Sequence, residues 1–185
     1  MESTQAPNDL LYDLALSRIE GIGAVLYKQL VLHFGTAKNV LQSSKSRLKK
    51  VQGVGIAALS KFSGVSAALS EADTILSDCQ KLGIDVCTFR SPSYPALLAE
   101  TFDCPPVLYK KGRGELYPRR TLGIVGTRHA SPYGKEIVAQ LCATLPEVQI
   151  ISGLAYGIDI AAHREALKNG KSTVAVLAHG LDTVY

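Results

Sequence analysis

Between residues 122 and 178 the chain alternates short apolar runs with segments of helical period. Leu122 to Gly126, Val148 to Ser152 and Ser172 to Ala178 read as strands, and Tyr133 to Leu145 and Gly157 to Lys168 as helices. Short apolar runs separated by helices are the pattern of parallel strands buried on both faces and joined by right-handed βαβ crossovers. This alternation predicts an α/β fold built on a parallel sheet. Ligands of such sheets meet the loops beyond the carboxyl ends of the strands. Here those loops read "GTRHAS", "SGLAYGID" and "HGLD", and each carries a glycine.

The residue types in these loops suit phosphate. Gly126 lets backbone approach a ligand closely, Thr127 offers a hydroxyl, and Arg128 offers a planar fork of donors matched to phosphate oxygens. Ser152, Gly153 and Gly157 open the next helix, where unpaired amides and the positive end of the dipole favour an anion. Lys171 precedes the last strand and so falls at the opposite end of the sheet, unless loop geometry brings it round. The Gly-x-Gly-x-x-Gly dinucleotide signature is absent, because Gly126 is followed by Thr-Arg-His-Ala, and no nicotinamide or flavin cofactor is expected. Asp159 and His163 lie four apart on one helix face. With no nucleophile nearby they read as a structural pair, an aspartate satisfying first-turn amides and a histidine hydrogen-bonded one turn later.

Composition sets outer bounds. The 185 residues are 46% hydrophobic and 19% charged, enough for one domain with a sizeable core or two small ones. A net charge of +4 leans mildly towards an anionic partner. No apolar run is long enough to span a membrane, and the first residues lack the basic start and apolar centre of a signal peptide, so a cytoplasmic protein is expected. Cys79, Cys87, Cys104 and Cys142 form no Cys-x-x-Cys pair and read as buried reduced thiols rather than metal ligands.

The amino-terminal part has a different texture. Leu10 to Glu20 reads as an amphipathic helix. Ile19-Glu-Gly-Ile-Gly23 then recurs in kind as Val51-Gln-Gly-Val-Gly55, each leading into a helix, Ala24 to Phe34 and Ile56 to Phe62. Two glycines around one aliphatic residue make a tight turn with free amides, as in helix-hairpin-helix elements, and the aliphatic residue plugs the core. The basic segment Ser43 to Lys50 is either a phosphate-facing strip or a solvated helix start after a serine cap. A helix from Glu71 to Leu82, closed by Gly83, precedes a strand from Ile84 to Phe89, which puts a boundary near residues 70 to 83. The expected organisation is a small helical domain at 8–70 and an α/β domain at 71–185. A strand at Val107 to Tyr109 and a polar hairpin from Gly112 to Arg120, carrying Arg113, Arg119 and Arg120, complete the reading.

The stretches "GIVGTRHASPYG", "IISGLAYGIDIAAHREAL" and "TVAVLAHGLDTVY" resemble the Rossmann-like core of the DprA/Smf family of DNA-processing proteins. The resemblance extends upstream through "SYPALL" and "PPVLYKKG" and, over the helical part, to the family's SAM-like, helix-hairpin-helix domain. It implies a protein of natural transformation and competence that binds and protects incoming single-stranded DNA and helps load the RecA recombinase, without catalytic turnover. Transferred by motif, the DNA contacts would be Gly126, Thr127, Arg128, Ser152, Gly153, Tyr156 and Lys171. Tyr156 stands where the family more often has arginine, so that one phosphate contact is either missing or replaced by stacking of a base on an aromatic ring. The family pattern continues past Tyr185, so the resemblance implies an α/β domain incomplete at its carboxyl end and lacking the surfaces used for self-association. Two other classes stay open on the residues alone. One is a Rossmann-like hydrolase of nucleotides or nucleoside phosphates, which would want a glutamate beside the glycine loop, where none occurs before Glu165. The other is a protein-binding recombination adaptor.

Overall fold

A computed structural model describes residues 7–113, 116 and 120–183 of the chain. Most of the polar hairpin expected from Gly112 to Arg120, Arg119 included, lies outside the described residues, as does Tyr185. The chain divides into two compact units, residues 1–111 and 112–185.

The first unit starts with helices α1 (Pro7–Arg18), α2 (Ala24–Phe34), α3 (Ala37–Leu41), α4 (Lys45–Leu48) and α5 (Ile56–Lys61). The two glycine-bearing repeats fold alike. Gly21 and Gly53 take φ of +83° and +89°, conformations that glycine adopts without a Cβ penalty. The amides of Ile22 and Val54 then turn back to the carbonyls of Ile19 and Val51, at 3.1 and 3.2 Å. Ile22 and Val54 are both buried, as expected of the plugging aliphatic residue. They join a core that includes Leu14, Leu16, Tyr27, Leu30, Val40 and Leu48. Inside it the Tyr27 hydroxyl donates to Oδ1 of Asp13 at 2.8 Å. Burial, reinforced by the Asp13 charge, drives the phenol far above its usual range.

Helix α6 (Val65–Leu82) begins earlier than the expected Glu71, because Ala68 and Ala72 continue the buried stripe towards Cys79. It ends on Gly83 in the left-handed region, with Ile84 N–H closing on the Cys79 carbonyl at 2.8 Å. Strand β1 (Asp85–Thr88), the short helix α7 (Ala96–Ala99) and strand β2 (Val107–Lys110) follow, and β1 pairs with β2 antiparallel. Phe89, Val107, Ile75 and Leu76 all pack on the helical core. The compact unit therefore runs to Lys111 rather than breaking near 70 to 83: the α6 stripe and the β1–β2 pair bury their apolar faces against the same helices.

The second unit holds β3 (Thr121–Gly123), α8 (Pro132–Thr144), β4 (Gln149–Ser152), α9 (Ile158–Lys168) and β5 (Thr173–Ala175). Its sheet is parallel in the order β3-β4-β5, with Leu122 opposite Ile150 and Ile151 opposite Val174. This is the expected α/β fold of Rossmann-like type. Ile124, Val138, Cys142, Ile150, Ala162 and Ala166 form its core. Only β4 is largely buried along its length; β3 and β5 are edge strands and half exposed. The expectation of burial on both faces holds for the central strand and fails for its neighbours. All four cysteines are free thiols and buried, and burial raises the pKa of Cys79, Cys87 and Cys142. No helix among the described residues is long and apolar enough to cross a membrane.

Candidate nucleic-acid interface

Beyond the carboxyl ends of β3 and β4 the chain makes two loops, residues 124–131 and 153–157, that are fastened to the first turn of α9. The fastening is Asp159. Its Oδ1 accepts from Gly126 N–H at 3.3 Å and its Oδ2 from Gly153 N–H at 3.2 Å. Two backbone hydrogen bonds and two close approaches at glycine lock the same junction. Ile158 N–H donates to the Thr127 carbonyl at 3.2 Å, and Ile160 N–H to the Ala155 carbonyl at 3.0 Å. A Cβ on Gly126 would lie 2.6 Å from Cγ1 of Ile158. Gly157, at φ +85°, sits with its Cα against the carbonyls of Thr127 and Arg128, so that a Cβ there would run into backbone. Leu154 is the non-glycine residue with positive φ, +59°, among the described residues. Strain of this kind persists where surrounding contacts enforce it.

The protein thus supplies its own anion to two of the amides expected to meet phosphate. Ser152 is also turned inward: it is buried, and its hydroxyl donates to the Ile124 carbonyl at 2.6 Å. The amide of Gly153 and the hydroxyl of Ser152 therefore tie strands and helix together instead of lining an open cradle. Lys171 is at the amino end of β5, opposite to Arg128, and its ammonium caps the end of α8 through the carbonyls of Leu145 at 2.8 Å and Pro146 at 3.5 Å. It borders an open cavity of about 740 Å³ with Arg120, Glu147 and Asn169. The family resemblance grouped Lys171 with the loops, whereas strand direction read from the sequence put it at the opposite end of the sheet, and there it lies.

What faces outward at the loop end is Arg128 with its neighbours. Thr127 Oγ1 accepts from His129 N–H at 3.1 Å, closing a tight turn that presents Arg128 and His129 to solvent. Arg128 has no ion-pair or hydrogen-bond partner among the described residues, and Gly126, Thr127 and Tyr156 are exposed with it. Helix α8 begins where this loop ends: Ser131 Oγ accepts from Gly134 N–H at 3.1 Å, with Pro132 in the first helical position. Of the seven sequence-derived contacts, Gly126, Thr127, Arg128 and Tyr156 come together on the exposed side. Sequence reasoning passed over His129 and Tyr133, which share that side. The signal for Tyr133 was its place between a helix-opening proline and a glycine that must face the neighbouring helix.

His163, one turn beyond Asp159, points into the unit. It is buried, and its Nδ1 lies 2.7 Å from the Thr173 hydroxyl, which itself donates to the Ile150 carbonyl at 2.9 Å. The hydroxyl proton being committed there, Nδ1 is the donor. Nε2 is buried without a hydrogen-bond partner among the described residues. Burial holds the imidazole below its usual pKa against the opposing pull of the Asp159 carboxylate and the Ser152 backbone. The same ring, on the inner side of α9, is not presented to a ligand at the loops.

Comparison with known proteins agrees with this architecture. Residues 85–185 match the family model described as DNA recombination-mediator protein A. The protein Smf of Synechocystis is 34% identical over 186 residues, spanning 97% of this chain and 46% of its own length. The DNA processing protein DprA of Streptococcus pneumoniae is 43% identical over 93 residues, 50% of this chain and 33% of that protein. The X-ray structure of DprA from Streptococcus pneumoniae superposes with a TM-score of 0.67 at 31% identity, covering all of this chain and 61% of that one. The chain spans under half the length of these two curated relatives. With the parallel sheet, its glycine loops and the family match over more than half its length, the chain belongs to the DNA recombination-mediator protein A, or DprA/Smf, family.

Proposed function

We propose that this chain takes part in DNA processing by binding single-stranded DNA at the exposed loop end of its parallel sheet, and that it protects the strand and hands it to the RecA recombinase. Arg128 carries the reading. It is an exposed guanidinium without a partner among the described residues, at a strand end where α/β proteins bind ligands, in a turn stiffened by Thr127 and backed by Gly157. A planar fork held in that way suits phosphate oxygens. Thr127 and the backbone beside Gly126 would supply neutral donors, and the Tyr156 ring a face for a base. Such contacts recognise backbone and stacked bases without reading sequence.

Titration of a fluorescent single strand and the matching duplex over a salt series tests this. The single strand should bind more tightly, independently of sequence, with affinity falling as salt rises. Equal affinity for blunt duplex and single strand would remove the reading.

A further inference from the structure

We propose that Tyr133 is a second base-stacking residue, forming with Tyr156 a pair of aromatic contacts at the junction that carries Arg128, so that the site holds an unstacked single strand by its bases as well as by its phosphates. This rests on the single-strand reading above and extends it to a residue outside the glycine loops. The two tyrosines are 72% exposed each, and neither ring nor hydroxyl has a partner among the described residues. Backbone contacts place them at one junction. Tyr156 immediately precedes Gly157, whose Cα abuts the carbonyls of Thr127 and Arg128. Tyr133 immediately precedes Gly134, where a Cβ would lie 3.3 Å from Cδ1 of Ile158. The loop carrying Arg128, the first turn of α8 and the first turn of α9 therefore meet at Gly157 and Ile158, and each of the two exposed tyrosines is the chain neighbour of a glycine at that junction.

The local sequence presents Tyr133 outward. Gly134 takes the position that faces Ile158, and Ser131 caps the helix through the Gly134 amide, which leaves Tyr133 on the solvent side. The adjacent unpaired cation selects the occupant. A guanidinium and two exposed rings at one junction complement a polyanion whose bases are free to turn out, and a duplex keeps its base faces stacked on one another.

The test compares an oligothymidylate with an abasic strand of the same length and phosphate number. Tyr133→Ala should lower affinity for the thymidylate roughly tenfold. It should leave the abasic strand and the salt slope of both unchanged, because no charge is removed. Tyr133→Phe should keep the wild-type affinity. Arg128→Ala, in parallel, should weaken both strands and flatten the slope. A correspondingly smaller preference for thymidylate over the abasic strand in Tyr133→Ala supports the platform. Wild-type behaviour of Tyr133→Ala, with Arg128→Ala still defective, overturns the platform and leaves the single-strand reading standing. Absence of binding to either strand by the unmodified chain overturns both.

Discussion

Gly153 donates its amide to Oδ2 of Asp159 across 3.2 Å, and Oδ1 of the same carboxylate takes the amide of Gly126 at 3.3 Å. One side chain from the first turn of α9 thus joins the ends of two neighbouring parallel strands. Both positions leave little room for a side chain: a Cβ on residue 153 would lie 2.8 Å from Oδ2 of Asp159, and one on residue 126 would lie 2.6 Å from Cγ1 of Ile158. Arg128 is held in place from behind and left free in front.

Asp159→Ala should therefore destabilise the second unit by about 2 kcal/mol, the scale for hydrogen bonds to a charged acceptor, since two amides lose their partner. Asp159→Asn should cost less but not be neutral. Its carbonyl can accept from one glycine, while its amide nitrogen turns a donor towards the other. Urea denaturation gives the stability change, and amide hydrogen exchange at Gly126 and Gly153 should accelerate in both variants. Unchanged exchange at these amides would mean that the clamp is dispensable.

Gly157→Ala should be more damaging than Gly153→Ala. At 157 the added methyl meets the backbone carbonyls of Thr127 and Arg128, and φ is +85°; at 153 it meets the end of a side chain. Backbone at a strained φ has few ways to give, and a loss of roughly 1–3 kcal/mol is expected. The Arg128 turn should shift with it, so single-strand affinity should fall in Gly157→Ala even at temperatures where the variant remains folded. Thermal unfolding followed by binding at low temperature separates the two effects.

Much of this arrangement was legible in the sequence because it rests on local rules. The glycine turns around Ile22 and Val54, helix α2 with its bounds and the parallel βαβαβ order all follow from period, spacing and capping, whereas the expected pairing of Asp159 with first-turn amides and with His163 is replaced: its oxygens take the loop amides of Gly126 and Gly153, and His163 bonds Thr173. What escaped was decided by packing between segments distant in sequence. Whether α6 belonged with the helices or with the sheet depended on which core its alanine stripe met. Whether Ser152 and Gly153 faced a ligand depended on Asp159 and the Ile124 carbonyl, and a glycine-rich loop reads the same whether its amides bind phosphate or a carboxylate of the same protein.

His163 makes the second unit sensitive to acid. Its folded-state pKa is depressed by burial, so between the ordinary histidine value of about 6.5 and the lower folded value the unfolded chain binds more protons than the folded one. Stability is unaffected above about pH 6.5, declines as pH falls through the folded value and levels off below it. His163→Asn can keep a donor to Thr173 while removing the titration. Its urea midpoint should change less than that of the unmodified chain between neutral pH and about pH 5. An equal acid loss in both proteins would assign the sensitivity to other groups.

Arg128 and Lys171 should separate two effects that the family resemblance placed in one site. Arg128→Ala removes an exposed guanidinium with no partner among the described residues, so its stability should match the unmodified chain while single-strand affinity falls; the log-log salt slope should shrink by about 0.7 for each phosphate no longer neutralised. Arg128→Lys should restore part of the affinity, because a point charge cannot make the paired hydrogen bonds of the fork. Lys171→Met should behave in the opposite way. Its ammonium bonds the Leu145 and Pro146 carbonyls at the end of α8, so removing the charge leaves those acceptors to water and lowers stability by about 1 kcal/mol. Affinity and slope should stay put, since β5 carries Lys171 at the end of the sheet away from the loops. A Lys171→Met variant of full stability whose slope falls as in Arg128→Ala would show that DNA reaches both ends of the sheet, and that the strand runs along its edge rather than across its loops.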